Sequence, residues 1–302
     1  MTDETIEKSA KKNISNRKLK DRIVLGFIWF CSFITIASLI WLIAYIVYKG
    51  FPELSLDYIF NNNSGKKLQI FSTIFGSNNE QKGIFQFILN TIYIVILSIT
   101  ISAPIGISAA VYLIEYSKPG PVVNVIRFTT ETLAGIPSII YGLFGFIVFV
   151  TMLHMKFSVM AGSLTLSIMV LPTIIRATEE ALKCVPDSFR EGSLALGATK
   201  LITIVKLILP SAIPGIITAV ILSIGRIVGE TAAVYFTAGY GLNAVDGVFD
   251  SARTLSVHLF YMAKEGLSIE QSYATGSVLL VIIIVINFTT NIISKKFTKK
   301  YT

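Results

Sequence analysis

Arg190-Glu191-Gly192-Ser193-Leu194-Ala195-Leu196-Gly197-Ala198-Thr199 stands inside a polar segment, residues 177–210, that ends at Leu209-Pro210. The segment separates two long apolar stretches, whereas connections between packed helices are usually ~2–8 residues long. We therefore expect it to have a structure of its own and a partner to contact. Small residues would leave one side of a short helix thin enough to enter a groove on another protein; they are Gly192, Ser193, Ala195, Gly197 and Ala198.

Two residues of this segment set the expected ends of its structure. Glu191 would lie near the start of the short helix, where the positive end of the helix dipole favours a carboxylate. Pro210 would stop that helix and open the next apolar stretch, because proline has no N–H to donate inside a helix.

The rest of the chain is mostly apolar. Of its 302 residues, 53% are apolar and 15% charged, and the mean hydropathy is +0.70, whereas a soluble domain has ~25% charged residues. The apolar residues form unbroken runs, which predicts an all-α, polytopic integral membrane protein. The net charge of +8 comes from basic residues near the two ends. Anchoring of segments beside membrane spans explains this charge without nucleic acid.

Six apolar runs are long enough to be transmembrane helices. Residues 1–22 and 294–302 are basic tails, residues 49–83 form an Asn-rich extracytoplasmic loop, and residues 84–293 hold the membrane core. An even number of spans puts both tails on one side, and their charge makes that side the cytoplasm. The same count places the 177–210 loop in the cytoplasm. The predicted spans are 23–48, 84–113, 133–154, 158–176, 211–238 and 272–293.

The fifth predicted span contains charged residues. Arg226 and Glu230 are four residues apart and would share one helix face, although an arginine at the bilayer centre costs roughly 2.5–3.5 kcal/mol. Gly225 and Gly229 precede them as a pair of small residues that would let another helix approach. Either the two charges form an ion pair that locks helices together, or they line the route of an anion. Arg176, at the end of the fourth span, is a second cation on that route or a basic residue at the cytoplasmic interface.

No residue pattern indicates chemistry carried out by this chain. Cys31 and Cys184 are not expected to form a disulfide or to ligate a metal, and the histidines are His154 and His258. There is no zinc motif, Walker phosphate loop or nucleophile elbow. We therefore expect no catalytic residue, no metal and no cofactor.

The stretch from Glu191 to Pro210 resembles the loop of ABC-importer permeases that reads Glu-Ala-Ala, three residues, Gly, nine residues, Ile, one residue, Leu-Pro. Glu191, Gly197, Leu209 and Pro210 fall in register, Gly192 and Ser193 replace the two alanines, and Leu207 replaces the isoleucine. In that family the loop forms a coupling helix that docks on an ATPase subunit. The resemblance implies this role for those four residues.

A second run narrows the resemblance. Gly225 to Ala233, together with Ala134-Gly135-Ile136-Pro137-Ser138, looks like the permeases of the high-affinity phosphate ABC importer, over residues 84–293. Residues 231–233, 236–238 and 253–257 resemble its PstA-type more than its PstC-type subunit. The resemblance implies a type I permease in a prokaryotic plasma membrane that pairs with a PstC-type permease. Two copies of a PstB-type ATPase would bind ATP and Mg, and a PstS-type extracellular protein would deliver phosphate.

The charge pattern suits phosphate. Arginine offers several N–H donors to a tetrahedral oxyanion, and Glu230 could accept a hydrogen bond from the proton that phosphate carries at neutral pH. Sulfate has no such proton. We therefore expect Arg226 to attract the anion and Glu230 to discriminate. The alternatives are an importer of sulfate or molybdate, an ion-coupled secondary transporter, for which inverted repeats would be evidence, and a membrane scaffold that transports nothing.

Overall fold

α-Helices form the scaffold of the protein in a computed structural model, which describes residues 3–60, 83–242, 245, 247–266 and 268–301. Within these ranges there is no β-strand, so the all-α prediction is confirmed. The chain divides into two units, Met1–Lys49 and Gly50–Thr302. Five described helices are long and apolar enough to cross a membrane, and a bent pair of helices brings the number to six when it is counted as one span.

The first unit is a single helix. Helix α1, Asp3–Gly50, contains both the predicted basic tail and the predicted first span. Its apolar side chains are exposed along the span, as lipid contact requires. The predicted loop 49–83 begins with a short 3₁₀ turn, Phe51–Glu53, and helix α2, Leu56–Phe60. The Asn-rich part of that loop lies outside the described residues.

The core of the second unit is built around helix α6, Val159–Lys183. Leu166, Met169, Val170 and Ile174 of α6 are fully buried. Helix α3, Phe85–Val111, packs against α6, and Gly106 permits the contact because a Cβ there would lie 2.7 Å from Ile174 Cγ2. A π-helical turn, Tyr112–Tyr116, ends α3.

The predicted third span, 133–154, is wrong as a single helix. The structure has helix α4, Pro121–Ala134, and helix α5, Ser138–Gly145, which continues as a π-helical turn, Phe146–Met152. The two arms meet at an angle of 100°. Pro137 precedes α5 and cannot donate the N–H that a continuous helix would need. The segment between the predicted second and third spans is therefore largely helical.

The predicted fifth span, 211–238, is shifted along the chain. Helix α7, Asp187–Ala195, is followed by a short helix α8, Lys200–Thr203, and a π-helical turn, Ile204–Ile208, that runs into helix α9, Leu209–Gly229. The span therefore runs from Lys200 to Gly229. Pro210 does not stop the loop helix as predicted. A π turn directly before it is the kind of local adjustment that lets a membrane helix continue through proline.

The remaining helices complete the second unit. Helix α10, Ala232–Thr237, follows α9 after a break, and helix α11, Leu255–Lys264, lies in the segment that connects to the last span. Helix α12, Ile269–Tyr301, contains the predicted sixth span. Its apolar part, Ile269–Thr289, agrees with the prediction of 272–293.

Gly142 of α5 makes the contact with α10 possible. A Cβ at this position would lie 3.0 Å from Ala233 Cα and 3.1 Å from Ala232 O. Because both are backbone atoms, a larger residue can be accommodated only by moving a helix. We expect Gly142→Leu to lower the free energy of unfolding by roughly 1–3 kcal/mol, measured as a lower thermal midpoint in detergent.

Gly26→Leu is the matched control for this substitution. Gly26 lies in α1, and no described atom comes within 4 Å of a Cβ built there. It should leave the midpoint unchanged. Equal effects of the two substitutions would show that the α5–α10 contact is not tight.

Candidate functional site

Arg226 lies on a partly exposed side of α9. The side chain is half-buried, and Leu222, one turn before it, is 59% exposed. No described atom lies within 4 Å of a Cβ built on Gly225 or Gly229. These four residues define what we call the open face of α9. The predicted small-residue pair is therefore available to a neighbour outside this chain.

Glu230 is not on the helix face predicted for it. Helix α9 ends at Gly229, and Glu230 has an extended conformation, with φ −74° and ψ 127°. No salt bridge joins Arg226 to Glu230 among the described residues. The prediction of two charges one helical turn apart is therefore wrong. It assumed an uninterrupted helix through Gly229, a residue with low helix propensity.

The break at Glu230 is closed by hydrogen bonds from elsewhere in the chain. Its backbone carbonyl accepts a bond from Ser256 Oγ at 2.7 Å, and its carboxylate Oε1 accepts one from the Ala233 backbone N–H at 3.3 Å. The carboxylate thereby caps the start of α10. Discontinuous helices of this kind form binding sites in transporters, where unwound backbone is tolerated because it lines a cavity.

Arg176 lies apart from Arg226, in an ion pair between α6 and α4. It is exposed and pairs with Glu131 of α4 at 3.5 Å. The neighbouring pair Arg127–Glu179, at 3.3 Å, also joins α4 to α6. The structure does not bring Arg176 into contact with Arg226 or Glu230 among the described residues, so the three predicted route residues do not form one cluster.

The polar segment forms the short helix that the sequence predicts, but with a different start. Helix α7 begins at Asp187, directly after Pro186. Glu191 is thus in the middle of the helix and is exposed, and the prediction that it occupies the start is wrong. Asp187 is the acidic residue in the first turn, where a carboxylate suits the helix dipole.

Gly197 determines where α7 ends. Its φ is +83°, a left-handed conformation that glycine adopts without steric cost. The Gly197 N–H donates to Leu194 O at 2.9 Å, and the Ala198 N–H donates to Ser193 O at 3.2 Å. This pair of bonds is the Schellman motif. Leu209 and Pro210, the other residues predicted for coupling, lie at the start of α9 and do not belong to this turn.

The end of α7 exposes apolar surface. Leu196 is 90% exposed and Leu194 is 49% exposed, and no residue of α7 is buried. This segment is the one predicted to contact a partner, and Leu194 and Leu196 are exposed apolar side chains that it presents.

Arg253 and His258 form a buried polar pair that the sequence predictions missed. Arg253 is 4% exposed, and its Nε and Nη2 donate to Tyr240 O at 3.1 and 2.9 Å. The guanidinium stacks on the Tyr261 ring at 4.3 Å. Burial, and then the charge of Arg253, lowers the pKa of His258 to about 3, so His258 is neutral at physiological pH. No local pattern indicated this pair, because the rings beneath the guanidinium belong to Phe87 and Tyr261.

The left-handed turn at Gly197 can be tested against a glycine in the same helix. We expect Gly197→Ala to destabilise the end of α7 because a Cβ at this φ costs roughly 1–2 kcal/mol. Gly192→Ala, within α7, should instead stabilise the helix by roughly 0.5–1 kcal/mol. Hydrogen exchange of the α7 amides should become faster in the first variant and slower in the second. A shift in the same direction in both would contradict the assignment of Gly197 as the cap.

Comparison with known proteins places this geometry among transport components. Residues 102–302 match the family described as binding-protein-dependent transport system inner membrane component. The probable ABC transporter permease protein YqgI of Bacillus subtilis (strain 168) is 32% identical over 95% of this chain and 99% of its own length. The phosphate transport system permease protein PstA of Mycobacterium leprae (strain TN) is 34% identical over 78% of this chain and 74% of its own.

Solved structures share the fold at lower identity. An inward-facing MetNI methionine ABC transporter matches 77% of this chain and 99% of its own, with a TM-score of 0.56 and 18% identity. A bacterial ABC transporter involved in import of the acidic polysaccharide alginate matches 89% of this chain and 96% of its own, with a TM-score of 0.59 and 17% identity. At these identities the likeness concerns the fold alone.

Proposed function

The chain belongs to the family of binding-protein-dependent transport system inner membrane components, and from this membership we propose that it is the PstA-type permease subunit of an ATP-driven importer of inorganic phosphate. As an ABC-importer permease it is a multi-pass inner membrane protein that carries out no chemistry itself. It works with an ATPase and with a binding protein.

Arg226 on the open face of α9 is the observation that carries the proposal. Its guanidinium forms no salt bridge or hydrogen bond among the described residues, and the glycines beside it leave the surface uncovered. An ionisable residue within a membrane span marks a substrate path by default. A guanidinium presents several N–H donors that suit a tetrahedral oxyanion. Arg226 would therefore attract the anion into a route shared with a second, PstC-type permease.

Glu230 would discriminate among anions from the break between α9 and α10. A carboxylate accepts hydrogen bonds and cannot donate them when ionised, so it favours an oxyanion that carries a proton. Hydrogen phosphate meets this requirement, and sulfate does not. The proposed discrimination needs no helical alignment with Arg226, because an extended residue next to Gly229 borders the same open face. Relatives named as phosphate permeases, such as that of Pasteurella multocida (strain Pm70) at 33% identity, support this choice of substrate.

Helix α7 would be the contact with the ATPase. Glu191 on the helix and Leu196 directly after it are exposed, and Gly197 sets the end of the helix. In this proposal both termini and α7 are cytoplasmic, two copies of a PstB-type ATPase bind ATP and Mg, and a PstS-type protein delivers phosphate from outside. Arg176 would then lie near the cytoplasmic end of the route. Importers of sulfate or molybdate are the alternative within the same class.

Uptake of radiolabelled phosphate tests the proposed substrate and the two charged residues. Arg226→Gln should reduce uptake at least tenfold, a loss of about 1.4 kcal/mol or more, because the amide cannot offer a positive charge. Glu230→Gln keeps an oxygen that can cap α10 but loses the charge. It should therefore allow sulfate to compete with phosphate, whereas the wild type should not.

Arg176→Gln serves as the comparison, since it removes an exposed ion pair away from the break and should reduce uptake less than Arg226→Gln. Normal uptake in both the Arg226 and Glu230 variants would remove these residues from the route. Equal competition by sulfate in the wild type would contradict phosphate as the substrate.

A further inference from the structure

The guanidinium of Arg190 connects three parts of the chain. Its Nε and Nη2 donate to Glu115 Oε1 at 3.1 and 2.8 Å, and Nη2 also donates to Leu182 O at 3.0 Å. Its Nη1 donates to Val185 O at 2.8 Å and to Asp187 Oδ1 at 3.0 Å. A guanidinium has five N–H donors, so these five bonds use all of them.

The ion pair is largely shielded from water. The Glu115 side chain is 7% exposed and that of Arg190 is 20% exposed. Ion pairs on the surface contribute little to stability, whereas removing one partner of a buried pair leaves the other charge uncompensated. The position of Arg190 is therefore closely tied to that of Glu115, which lies in the π-helical turn Tyr112–Tyr116 at the end of α3.

Helix α7 has few other means of attachment. None of its residues is buried, so no apolar contact anchors it as helices in a core are anchored. Ser193 Oγ and Thr203 Oγ1 lie 2.8 Å apart and join α7 to α8, and Lys200 Nζ of α8 lies 5.1 Å from the centre of the Tyr116 ring. Both the ion pair and this cation–π contact end on the same turn of α3.

Helix α3 begins far from that turn and packs, along its length, against α9, the helix that bears Arg226. Val95 of α3 and Val228 of α9 belong to one buried apolar cluster, and Ile224 of α9 packs against it. Ile224 and Val228 are two residues on either side of Arg226. A displacement of α3 along its axis would therefore act on the segment of α9 that forms the open face.

We propose that Arg190 and Glu115 form a latch that transmits movement of α7 to α3, which makes both of them positioning residues for transport. This inference rests on the proposed role of α7 as the contact with the ATPase. An external push on α7 would then move α3, because four of the five hydrogen bonds from Arg190 join it to the end of α3 and to the end of α6 with Val185 just beyond it. Without the latch, α7 could follow the ATPase while α3 stays in place.

The test uses the whole importer in proteoliposomes, with its ATPase, second permease and binding protein. The variants are Glu115→Gln, Arg190→Gln and the double variant, and the readout is phosphate taken up per ATP hydrolysed. Each single variant should lower this ratio at least tenfold while ATP hydrolysis continues. The double variant should be no worse than the worse single variant, because both remove the same link.

Glu180→Gln is the matched control, because it removes an exposed pair with Lys183 close to α7 and should not change the ratio. An unchanged ratio in both single variants, or multiplying losses in the double variant, would overturn the latch. If the importer does not assemble with Arg190→Gln, Arg190→Lys replaces it in the test. Lysine keeps the positive charge but not the five donors of the guanidinium, so the uptake per ATP should still fall. A ratio equal to that of the wild type would overturn the proposal.

Hydrogen exchange separates this inference from the proposed substrate. On addition of ATP and vanadate, the amides of Tyr112–Tyr116 should change their exchange rate in the wild-type complex and not in Glu115→Gln. A wild-type complex that responds in this way but takes up no phosphate would contradict the proposed substrate and support the latch. An equal response in both complexes would contradict the latch whatever the substrate is.

Discussion

The lack of water in the bilayer is the constraint on which this structure depends, because each backbone N–H and C=O there must find a partner within the protein. Most of the chain satisfies it with continuous helices. At the break after α9, Ser256 Oγ donates to the Glu230 backbone carbonyl and the Ala233 N–H donates to the Glu230 carboxylate. The break is thus a supported feature, and it places a carboxylate and an arginine beside an uncovered surface without forcing them to neutralise each other.

Helix α7 is held in place by a different kind of interaction. Helix α7 exposes nearly all of its side chains. Hydrogen bonds and an ion pair hold it in place, rather than apolar packing. These hydrogen bonds fix the position of the helix closely. A buried guanidinium that moves away from a partner is left with an unsatisfied donor, which costs free energy. An exposed helix held in a defined position suits a part that must bind another protein and still transmit movement. In the proposed function, movement of helix α7 is coupled to the segment near Arg226 where the anion would pass.

The sequence predicted the spans better than it predicted their interruptions. Apolar runs locate the spans at 84–113 and 272–293, because a helix that crosses lipid needs a continuous apolar stretch of its own sequence. The end of α9 at Gly229 depends on Ser256, which is 26 residues further along, so no local pattern indicates it. The start of α7 could have been read from Pro186 and Asp187, which are common at the first positions of helices. The Arg190–Glu115 pair joins residues 75 apart, so no local sequence pattern indicates it.

The central claim is that α7 lies on the cytoplasmic side of the membrane, where an ATPase can reach it. Cys184, which is exposed and lies between α6 and α7, is a native reporter once Cys31 is replaced by serine. The measurement is labelling by a membrane-impermeant maleimide, with Glu265→Cys in a Cys-free background as the outer control. The account predicts that Cys184 is labelled in inside-out vesicles and not in intact cells, with the opposite result for position 265. Labelling of Cys184 in intact cells would contradict it.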